Sequence, residues 1–389
     1  MAQGHIRHSR IAVMTLFFVN GALFATWASR IPAVQSQRGL SNSTLGLALL
    51  SLAFGALIAM PVSGWFIQKI GSGKLCKMSA LLSFAMLPVA IYVPGPELFF
   101  AALFCFGLCQ GTLDVAMNAQ AVVVERQSRK PIMSSFHALW STGSLGGAAL
   151  GSALAAQSLS PLSHSLFVTL GLCAGTLLTF PYLLGAGESG ESSAGNTQPK
   201  PVFKLGHRAI LALGTLAFCV MMGEGAIGDW SALYLRKVVG TGEGLAAVGY
   251  TVFSITMAGA RFMGDTLSAR FGPVSLVRTG GVLATSGILL ALCFANVPLT
   301  LLGFALVGAG FATVVPTVFS ASGNIPGIAP GIGLSSVTTL GYLGFLTGPP
   351  IIGLTADLLG LRAALGLVVA ASVVVACLAS AVRCQRRAA

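Results

Sequence analysis

The chain has 389 residues, of which 55% are hydrophobic and only 8% are charged, and its formal net charge is +12. Soluble domains carry roughly 25% charged residues, and disordered chains are poor in apolar residues, so both classes are excluded. The composition predicts an integral membrane protein.

Long apolar runs predict membrane-spanning helices. Runs such as 11–28, 98–110 and 361–382 lack the strict apolar/polar alternation that barrel strands show. Because only helices and closed barrels satisfy every backbone polar group in lipid, the runs predict an all-α polytopic membrane protein.

Charges, prolines and glycines divide the chain into twelve predicted spans. They are 10–32, 42–67, 74–94, 97–124, 131–157, 161–185, 208–235, 244–269, 273–296, 298–320, 328–356 and 361–383. The stretch between the sixth and seventh spans is rich in Ser, Gly and Pro, a composition typical of a flexible linker. We therefore expect an N-terminal six-helix bundle at 1–186, a cytoplasmic linker at 187–207 and a second six-helix bundle at 208–389.

Basic residues set the predicted orientation. With both termini in the cytoplasm, sixteen Lys and Arg residues fall on the cytoplasmic side. Five fall outside, namely Arg30, Arg38, Arg236, Lys237 and Arg362. This positive-inside bias explains the net positive charge without a nucleic-acid partner. The N-terminus resembles a signal peptide, but its counterpart after the linker favours a retained first span.

The two halves share an internal repeat at an offset of 201–204 residues. Asn20-Gly21-Ala22-Leu23 corresponds to Glu224-Gly225-Ala226-Ile227, and the segment 64–71 corresponds to 265–272. Ser134-Ser135 corresponds to Ser335-Ser336 in the same register. Three matches in the same order predict two parallel six-helix halves.

On this repeat, the linker and the loop from Gly64 to Lys74, the sequence resembles the major facilitator superfamily. The loop is similar to the family's cytoplasmic motif, with Gln68 at the usual acidic position and Ser72 at a usual basic one. Four short segments resemble the bacterial YbjJ-like branch: Ser29-Arg30-Ile31-Pro32, Asp114 with Asn118, Ser134-Ser135-Phe136-His137 and Asp229-Trp230-Ser231. The resemblance implies two pseudo-symmetric six-helix bundles in a bacterial inner membrane and secondary active transport by alternating access.

One predicted helix places a carboxylate far from both aqueous phases. Asp114 lies 11 residues before Glu125, hence ~16 Å along the helix and near the middle of a ~30 Å hydrocarbon layer. Gln110, Asp114 and Asn118 follow at four-residue steps and share one helix face. A charged group at this depth predicts a functional site, with a hydrogen-bonded cluster between helices as the alternative.

Two further polar residues lie at similar depth on other spans. Asn20 is ten residues from both Arg10 and Arg30. Glu224 is surrounded by glycines at 223, 225 and 228, for which we expect a broken or bent helix with free backbone groups. In the superfamily that the sequence resembles, spans one, four and seven line the central cavity. A hydrogen bond between helices is the alternative for Asn20.

Burial disfavours the charged form of a carboxylate and so favours proton exchange. We predict proton coupling at Asp114 and Glu224, with Asp114 slightly ahead. The predicted substrate cavity consists of polar and aromatic side chains, namely Asn20, Gln110, Asn118, His137, Trp140 and Tyr342. A packing role is the alternative for His137.

Residues nearer the membrane faces are predicted to control conformational change. Arg261 and Asp265, four residues apart, are expected to pair and, with Arg270, to form the second half's version of the loop motif. Trp27 and Trp230, near the outer ends, are expected to gate the cavity or anchor the helices at the interface. The predicted gate and latch residues are Arg30, Asp229, Trp230, Gly64, Gln68, Lys69, Gly71, Arg261, Asp265 and Arg270.

These features predict a secondary active transporter that takes up a small polar organic solute by proton symport, as a monomer in the lipid bilayer. Proton-driven efflux of amphipathic or drug-like compounds is the alternative, favoured by the Phe-rich spans. An enzyme is not expected, because His137 and Asp114 lie on different spans without a further catalytic group. The sequence lacks a GxxxxGK[ST] motif for ATP and a CxxC motif, and we expect no metal and no cofactor.

Overall fold

The computed structural model describes residues 2–40, 42–157, 159–185, 207–241 and 243–383. Within them the chain forms α-helices joined by short turns. The helices are α1 (Ala2–Arg38), α2 (Asn42–Ile70), α3 (Ser72–Tyr92), α4 (Pro96–Ser128), α5 (Met133–Ala156), α6 (Pro161–Leu177), α7 (Arg208–Lys237), α8 (Glu243–Phe271), α9 (Pro273–Phe294), α10 (Val297–Phe311), α11 (Val314–Ser322), α12 (Pro330–Leu359), α13 (Leu361–Ala364) and α14 (Gly366–Leu378). Every predicted span coincides with one or more of these helices, so the all-α prediction is confirmed.

Nine helical segments within the described residues are long and apolar enough to cross a membrane. They are Ile6–Ile31, Leu47–Ile70, Ser72–Tyr92, Pro96–Ser128, Arg208–Lys237, Pro273–Phe294, Val297–Ser322, Pro330–Leu359 and Leu361–Val382. The helix Pro161–Leu177 is apolar but shorter. The chain is thus a multi-pass membrane protein. The linker predicted at 187–207 lies outside the described residues except for His207.

The tenth predicted span is interrupted, which the sequence analysis did not anticipate. Helix α10 ends at Phe311 and α11 begins at Val314. Pro316 lies four residues after Ala312 and has no backbone N–H to donate to the Ala312 carbonyl. The proline therefore explains why the helix breaks at this point.

Two compact units divide the chain. Unit 1 contains Met1–Arg129, Phe136–Phe203 and Ala329–Ser335. Unit 2 contains Lys130–Ser135, Lys204–Ile328 and Ser336–Ala389. The predicted bundle boundaries at 186 and 208 remain a prediction.

Glycines allow helix backbones to touch within each unit. In unit 1, a Cβ on Gly147 of α5 would lie 2.6 Å from the Ala22 carbonyl of α1, and one on Gly143 would meet the Phe18 carbonyl. In unit 2, Gly287 of α9 and Gly303 of α10 face each other in the same manner. Such contacts replace the hydrophobic effect, which does not drive helix association in lipid.

Arginines cap the C-terminal ends of α3 and α9, two helices that correspond in the repeat. Nη2 of Arg38 donates to the Ile91 carbonyl at the end of α3, across 2.7 Å. Nε of Arg362 donates to the Leu292 carbonyl near the end of α9, across 2.6 Å. A cation at a helix C-terminus satisfies free carbonyl groups and complements the helix dipole.

Candidate functional site

A polar cluster joins three helices of unit 1. Nε1 of Trp140, on α5, donates to Oδ1 of Asn20, on α1, across 2.9 Å. Nε2 of Gln110, on α4, donates to the Asn20 backbone carbonyl across 3.4 Å. Asn20 is 6% exposed and Gln110 is 8% exposed. The structure therefore brings together three of the residues predicted to line the cavity.

Several polar atoms of these helices have no hydrogen-bond partner in the described part of the chain. They are Nδ2 of Asn20, Oε1 of Gln110, Oδ1 of Asn118 and Oγ of Ser144. Buried groups of this kind are normally paired. The set includes both a donor, Nδ2 of Asn20, and acceptors, such as Oε1 of Gln110.

Asp114 lies on the same helix as this cluster, one turn from Gln110. Its Oδ1 accepts a hydrogen bond from Nδ2 of Asn118 across 3.2 Å. The same Asn118 amide donates to the Asp114 backbone carbonyl across 2.9 Å. Asp114 is half-buried and Asn118 is fully buried. Gln110, Asp114 and Asn118 thus follow one another along α4 as predicted, and Asp114 and Asn118 are hydrogen-bonded to each other.

His137 lies one turn before Trp140 on α5 and is half-buried. Its ring makes an edge contact with Phe17 of α1, with 5.2 Å between ring centroids. Phe17 also stacks on Phe136 at 5.5 Å. Both the predicted cavity role of His137 and its packing alternative are compatible with this position.

Glu224 is held by an arginine within unit 2. Oε1 of Glu224, on α7, lies 3.5 Å from Nη2 of Arg261, on α8. Nε of Arg261 donates to the Ala312 carbonyl across 3.2 Å. That carbonyl is the group that Pro316 leaves without a helical partner, so Arg261 satisfies both the carboxylate and the broken helix.

The glycines around Glu224 do not break the helix, so the predicted break was wrong. Helix α7 is continuous from Arg208 to Lys237. A Cβ on Gly223 would lie 2.5 Å from the ring of Phe311, and one on Gly225 would lie 3.0 Å from the ring of Phe345. These glycines make room for aromatic rings instead of freeing backbone groups.

Tyr342 extends this aromatic packing within unit 2. Its ring lies 6.1 Å from that of Phe345, in an edge-to-face arrangement. Phe345 in turn contacts the backbone next to Glu224, at Gly225. Tyr342 is thus linked to the surroundings of Glu224 through Phe345, and its predicted role in the cavity remains a prediction.

Asp265 binds the start of α5 within unit 2. Its Oδ2 accepts a hydrogen bond from the Ser135 backbone N–H across 3.1 Å, and it also accepts one from the Ser135 hydroxyl. A carboxylate at a helix N-terminus satisfies free N–H groups and complements the helix dipole. Arg261 makes an ion pair with Glu224, and its predicted pairing with Asp265 remains a prediction.

Gly64, Gln68 and Lys69, predicted to form a loop, lie in the last two turns of α2, and Gly71 joins α2 to α3. Nε2 of Gln68 donates to the Gly64 carbonyl of its own helix across 3.2 Å. Lys69 lies over the Trp65 ring at 3.8 Å. Gly71 has a φ of 81°, which favours glycine, and its repeat counterpart Gly272 has a φ of 79°.

Arg270 and Gly64, two other predicted gate and latch residues, lie close to an aromatic ring and to a helix backbone, respectively. Arg270, the counterpart of Lys69, lies 5.3 Å from the Phe271 ring centroid. A Cβ on Gly64 would be 3.0 Å from the Gly331 carbonyl within unit 1. Gly64 therefore allows a close approach of two helix backbones, and Gly71 allows a turn. Gln68, Lys69 and Arg270 contact neighbours in their own segments.

Ser72 explains one departure from the family motif. Ser72 is fully buried, and its Oγ accepts a hydrogen bond from Nε2 of Gln120 across 2.8 Å. The same Gln120 donates to the Leu184 carbonyl and accepts from the Leu184 N–H, each across 3.0 Å. A long basic side chain would not fit at position 72, because the Gln120 side chain and the Leu184 backbone lie next to the Ser72 hydroxyl.

The candidates near the outer ends have different environments. Arg30 is 3% exposed, and its Nε donates to Nδ1 of His164, on α6, across 2.8 Å. Trp27 is 1% exposed and packs on Phe99, so the prediction of an interfacial anchor was wrong for this residue. Asp229 is exposed. The half-buried Trp230 packs against Gly353, whose added Cβ would lie 3.5 Å from the indole.

The sequence analysis missed His164, Gln120 and the capping role of Arg38. A histidine in an apolar span carries the same signal as the buried carboxylates and could have been found in this way. Gln120 lies near a membrane end, where polar residues are common, so no signal distinguished it. Among the described residues, no group of three His, Cys, Asp or Glu side chains could hold a metal ion.

Comparisons with known proteins agree on one family. The family model described as Major Facilitator Superfamily matches residues 12–332. An uncharacterised MFS-type transporter of Yersinia pestis is 33% identical over 373 residues, covering 96% of this chain and 95% of that protein. The membrane protein MosC of Rhizobium meliloti is 35% identical, covering 94% and 88%. Among solved structures, FucP of E. coli in its outward conformation is similar with a TM-score of 0.77 and 20% identity, covering 95% and 97%.

Proposed function

The chain belongs to the major facilitator superfamily and is a membrane transporter, and we propose that it carries a small polar organic solute by alternating access with proton symport. The proposal includes the YbjJ-like branch of the family. It also includes a bacterial inner membrane with both chain termini in the cytoplasm, and a monomer as the working unit. The sixteen basic residues on the predicted cytoplasmic side support this orientation.

The polar cluster of unit 1 is the single observation that carries the solute assignment. Trp140 fixes the orientation of the Asn20 amide, because its N–H donates to Oδ1. The remaining Nδ2 of Asn20 and Oε1 of Gln110 have no hydrogen-bond partner within the described ranges. A site that pairs a solute's hydroxyl groups rejects apolar analogues, since these leave the protein groups unpaired.

Two partly buried carboxylates support proton coupling. Glu224 lies close to the Arg261 guanidinium, and Asp114 has the neutral amide of Asn118 beside it. Protonation of either group changes a defined set of contacts, which is the requirement for linking a proton to a conformational step. FucP, whose fold this chain shares, is a fucose:proton symporter.

Proton-driven efflux of amphipathic or drug-like compounds is the second candidate. The rings of Phe311 and Phe345 lie against the backbone on either side of Glu224. An apolar surface next to a carboxylate suits an amphipathic cation better than a sugar-like solute. The two candidates differ in the direction in which solute and proton move relative to each other.

A thermal-shift screen of the purified protein against sugars, organic acids, nucleosides and drugs identifies the solute. The hit is then added outside vesicles that contain the protein, and the external pH is recorded. Symport predicts alkalinisation outside as protons enter with the solute, whereas proton-driven export predicts the opposite change. Binding that is unaffected by Asn20→Ala and Gln110→Ala would contradict the solute site.

A further inference from the structure

Arg30 and His164 form a buried polar pair between α1 and α6. Arg30 is 3% exposed and His164 is fully buried. Nε of Arg30 donates to Nδ1 of His164 across 2.8 Å. Because Nδ1 accepts this hydrogen bond, the imidazole is neutral and carries its hydrogen on Nε2. The pair therefore has one positive charge, located on the guanidinium.

Two N–H groups of this pair have no hydrogen-bond partner among the residues that the structure describes. They are Nη2 of Arg30 and Nε2 of His164. More than nine-tenths of buried polar groups in native proteins are paired. A buried charge without a counter-charge is strongly unfavourable, and this arrangement therefore points to a ligand.

The described residues of unit 1 supply no counter-charge for Arg30. The acidic residues of unit 1 within the described part of the chain are Glu97, Asp114 and Glu125. None of them makes an ion pair or hydrogen bond with Arg30, whose polar contact is with His164. Arg38, two turns further along the same helix, differs because Nη2 binds the Ile91 carbonyl and the guanidinium lies 4.5 Å from the Phe99 ring centroid.

We propose that Arg30 and His164 form a binding site for one carboxylate group of an organic anion. A guanidinium presents parallel N–H groups that match the two oxygens of a carboxylate, and the imidazole adds a further donor. One positive charge is balanced by one carboxylate, whereas a phosphate group carries nearly two negative charges. That the transported solute itself bears this carboxylate rests on the proposed function.

Helix α5 packs closely beside the pair. A Cβ on Gly151 of α5 would lie 3.3 Å from Cε1 of His164 and 2.7 Å from Cβ of Ser29. The backbone of α5 thus lies close to the imidazole, and only a glycine fits there.

The test measures the thermal unfolding midpoint of the purified full chain with increasing sodium acetate. Sodium chloride and sodium phosphate at equal ionic strength are the reference salts, and acetamide is added with sodium chloride to the same ionic strength. We expect acetate to raise the midpoint in a saturable manner and the reference solutes not to do so. We expect Arg30→Lys to increase the half-saturating acetate concentration at least tenfold, and the matched control Arg38→Lys to leave it unchanged.

A second variant keeps the test decisive if Arg30→Lys does not fold. His164→Gln is expected to increase the half-saturating concentration at least threefold. No saturable shift with acetate, an equal shift with chloride or acetamide, or an unchanged acetate response in the Arg30 and His164 variants would overturn the proposal. Asp114→Asn should keep the acetate response even if it abolishes transport, so failure of this site and failure of the proposed transport mechanism are separable.

Discussion

Nη2 of Arg261 lies 3.5 Å from Oε1 of Glu224 and joins α8 to α7 within unit 2. The two side chains are 7% and 15% exposed. Nε of the same arginine donates to the Ala312 carbonyl, which Pro316 leaves free. One guanidinium therefore balances a membrane-embedded carboxylate and satisfies the break between α10 and α11.

Replacing Glu224 is expected to destabilise the protein more than replacing Arg261. Glu224→Gln removes the carboxylate that lies 3.5 Å from the guanidinium of Arg261, which cannot lose its proton, and breaking a buried ion pair in this way costs about 3 kcal/mol. In Arg261→Gln the remaining carboxylate can take up a proton and become neutral. The free energy of unfolding, measured by titration from mild detergent into SDS, tests this order.

The double variant Glu224→Gln/Arg261→Gln should recover most of the loss caused by Glu224→Gln alone. Glu97→Gln serves as the control, because Glu97 is exposed in the first turn of α4 and its loss should cost no more than about 0.5 kcal/mol. Equal destabilisation by both single variants, with no recovery in the double variant, would contradict the role assigned to the pair.

Trp140→Phe removes the N–H that orients the Asn20 amide while keeping an aromatic ring. The lost hydrogen bond should cost about 1 kcal/mol of stability. Affinity for the transported solute should fall by more than this change in stability alone would explain, because the Asn20 amide is then free to rotate. Trp65→Phe is the matched control, since Trp65 contacts Lys69 near the end of α2. Solute titration by isothermal calorimetry checks both variants, and equal affinities would rule out the orienting role.

Gly143→Ala should separate α1 from α5 and destabilise unit 1 by about 1–3 kcal/mol, because the new methyl group meets the Phe18 carbonyl. Gly146→Ala is the control on the same helix, where a Cβ meets nothing within 4 Å. The control should be unchanged or stabilised by up to about 1 kcal/mol through helix propensity. Thermal unfolding midpoints of the two variants check the difference, and similar values would contradict close packing at Gly143.

Gln120→Leu should release the chain that follows α6. The substitution removes three hydrogen bonds of the Gln120 amide. Two of them are with the N–H and carbonyl groups of Leu184, and one is with the Ser72 hydroxyl. A loss of about 2 kcal/mol or more is expected from buried groups left unpaired. Limited proteolysis should cut the central segment faster than in Gln68→Leu, whose side chain bonds only its own helix. Equal cleavage rates in the two variants would refute the anchoring role.

The helices were predictable because helices that cross lipid need long apolar runs, and such runs can be read directly from the amino-acid sequence. The contact of Asn20 with Gln110 was also accessible, because depth along a helix follows from residue counting. The pairing of Glu224 with Arg261 was not, since residues 37 positions apart meet only through helix packing.

Residue patterns within one helix do not predict its structure where a side chain from a neighbouring helix decides it. Glycines next to Glu224 suggested a break, but Phe311 and Phe345 use the space that these glycines leave. The actual break, near Ala312, follows from Pro316, a signal that was present in the sequence but masked by the apolar run around it. Arg30 was assigned to the aqueous end of its helix, whereas its buried position depends on His164, 134 residues away.

The most direct test of proton coupling compares proton-driven accumulation with solute exchange in proteoliposomes, for the wild-type chain, Asp114→Asn and Glu224→Gln. Exchange across the membrane requires binding and the conformational change but no net proton movement. We expect at least one of the two variants to retain exchange while losing proton-driven accumulation at least tenfold. Accumulation at wild-type levels in both variants, under the same imposed pH gradient, would show that neither carboxylate carries the proton.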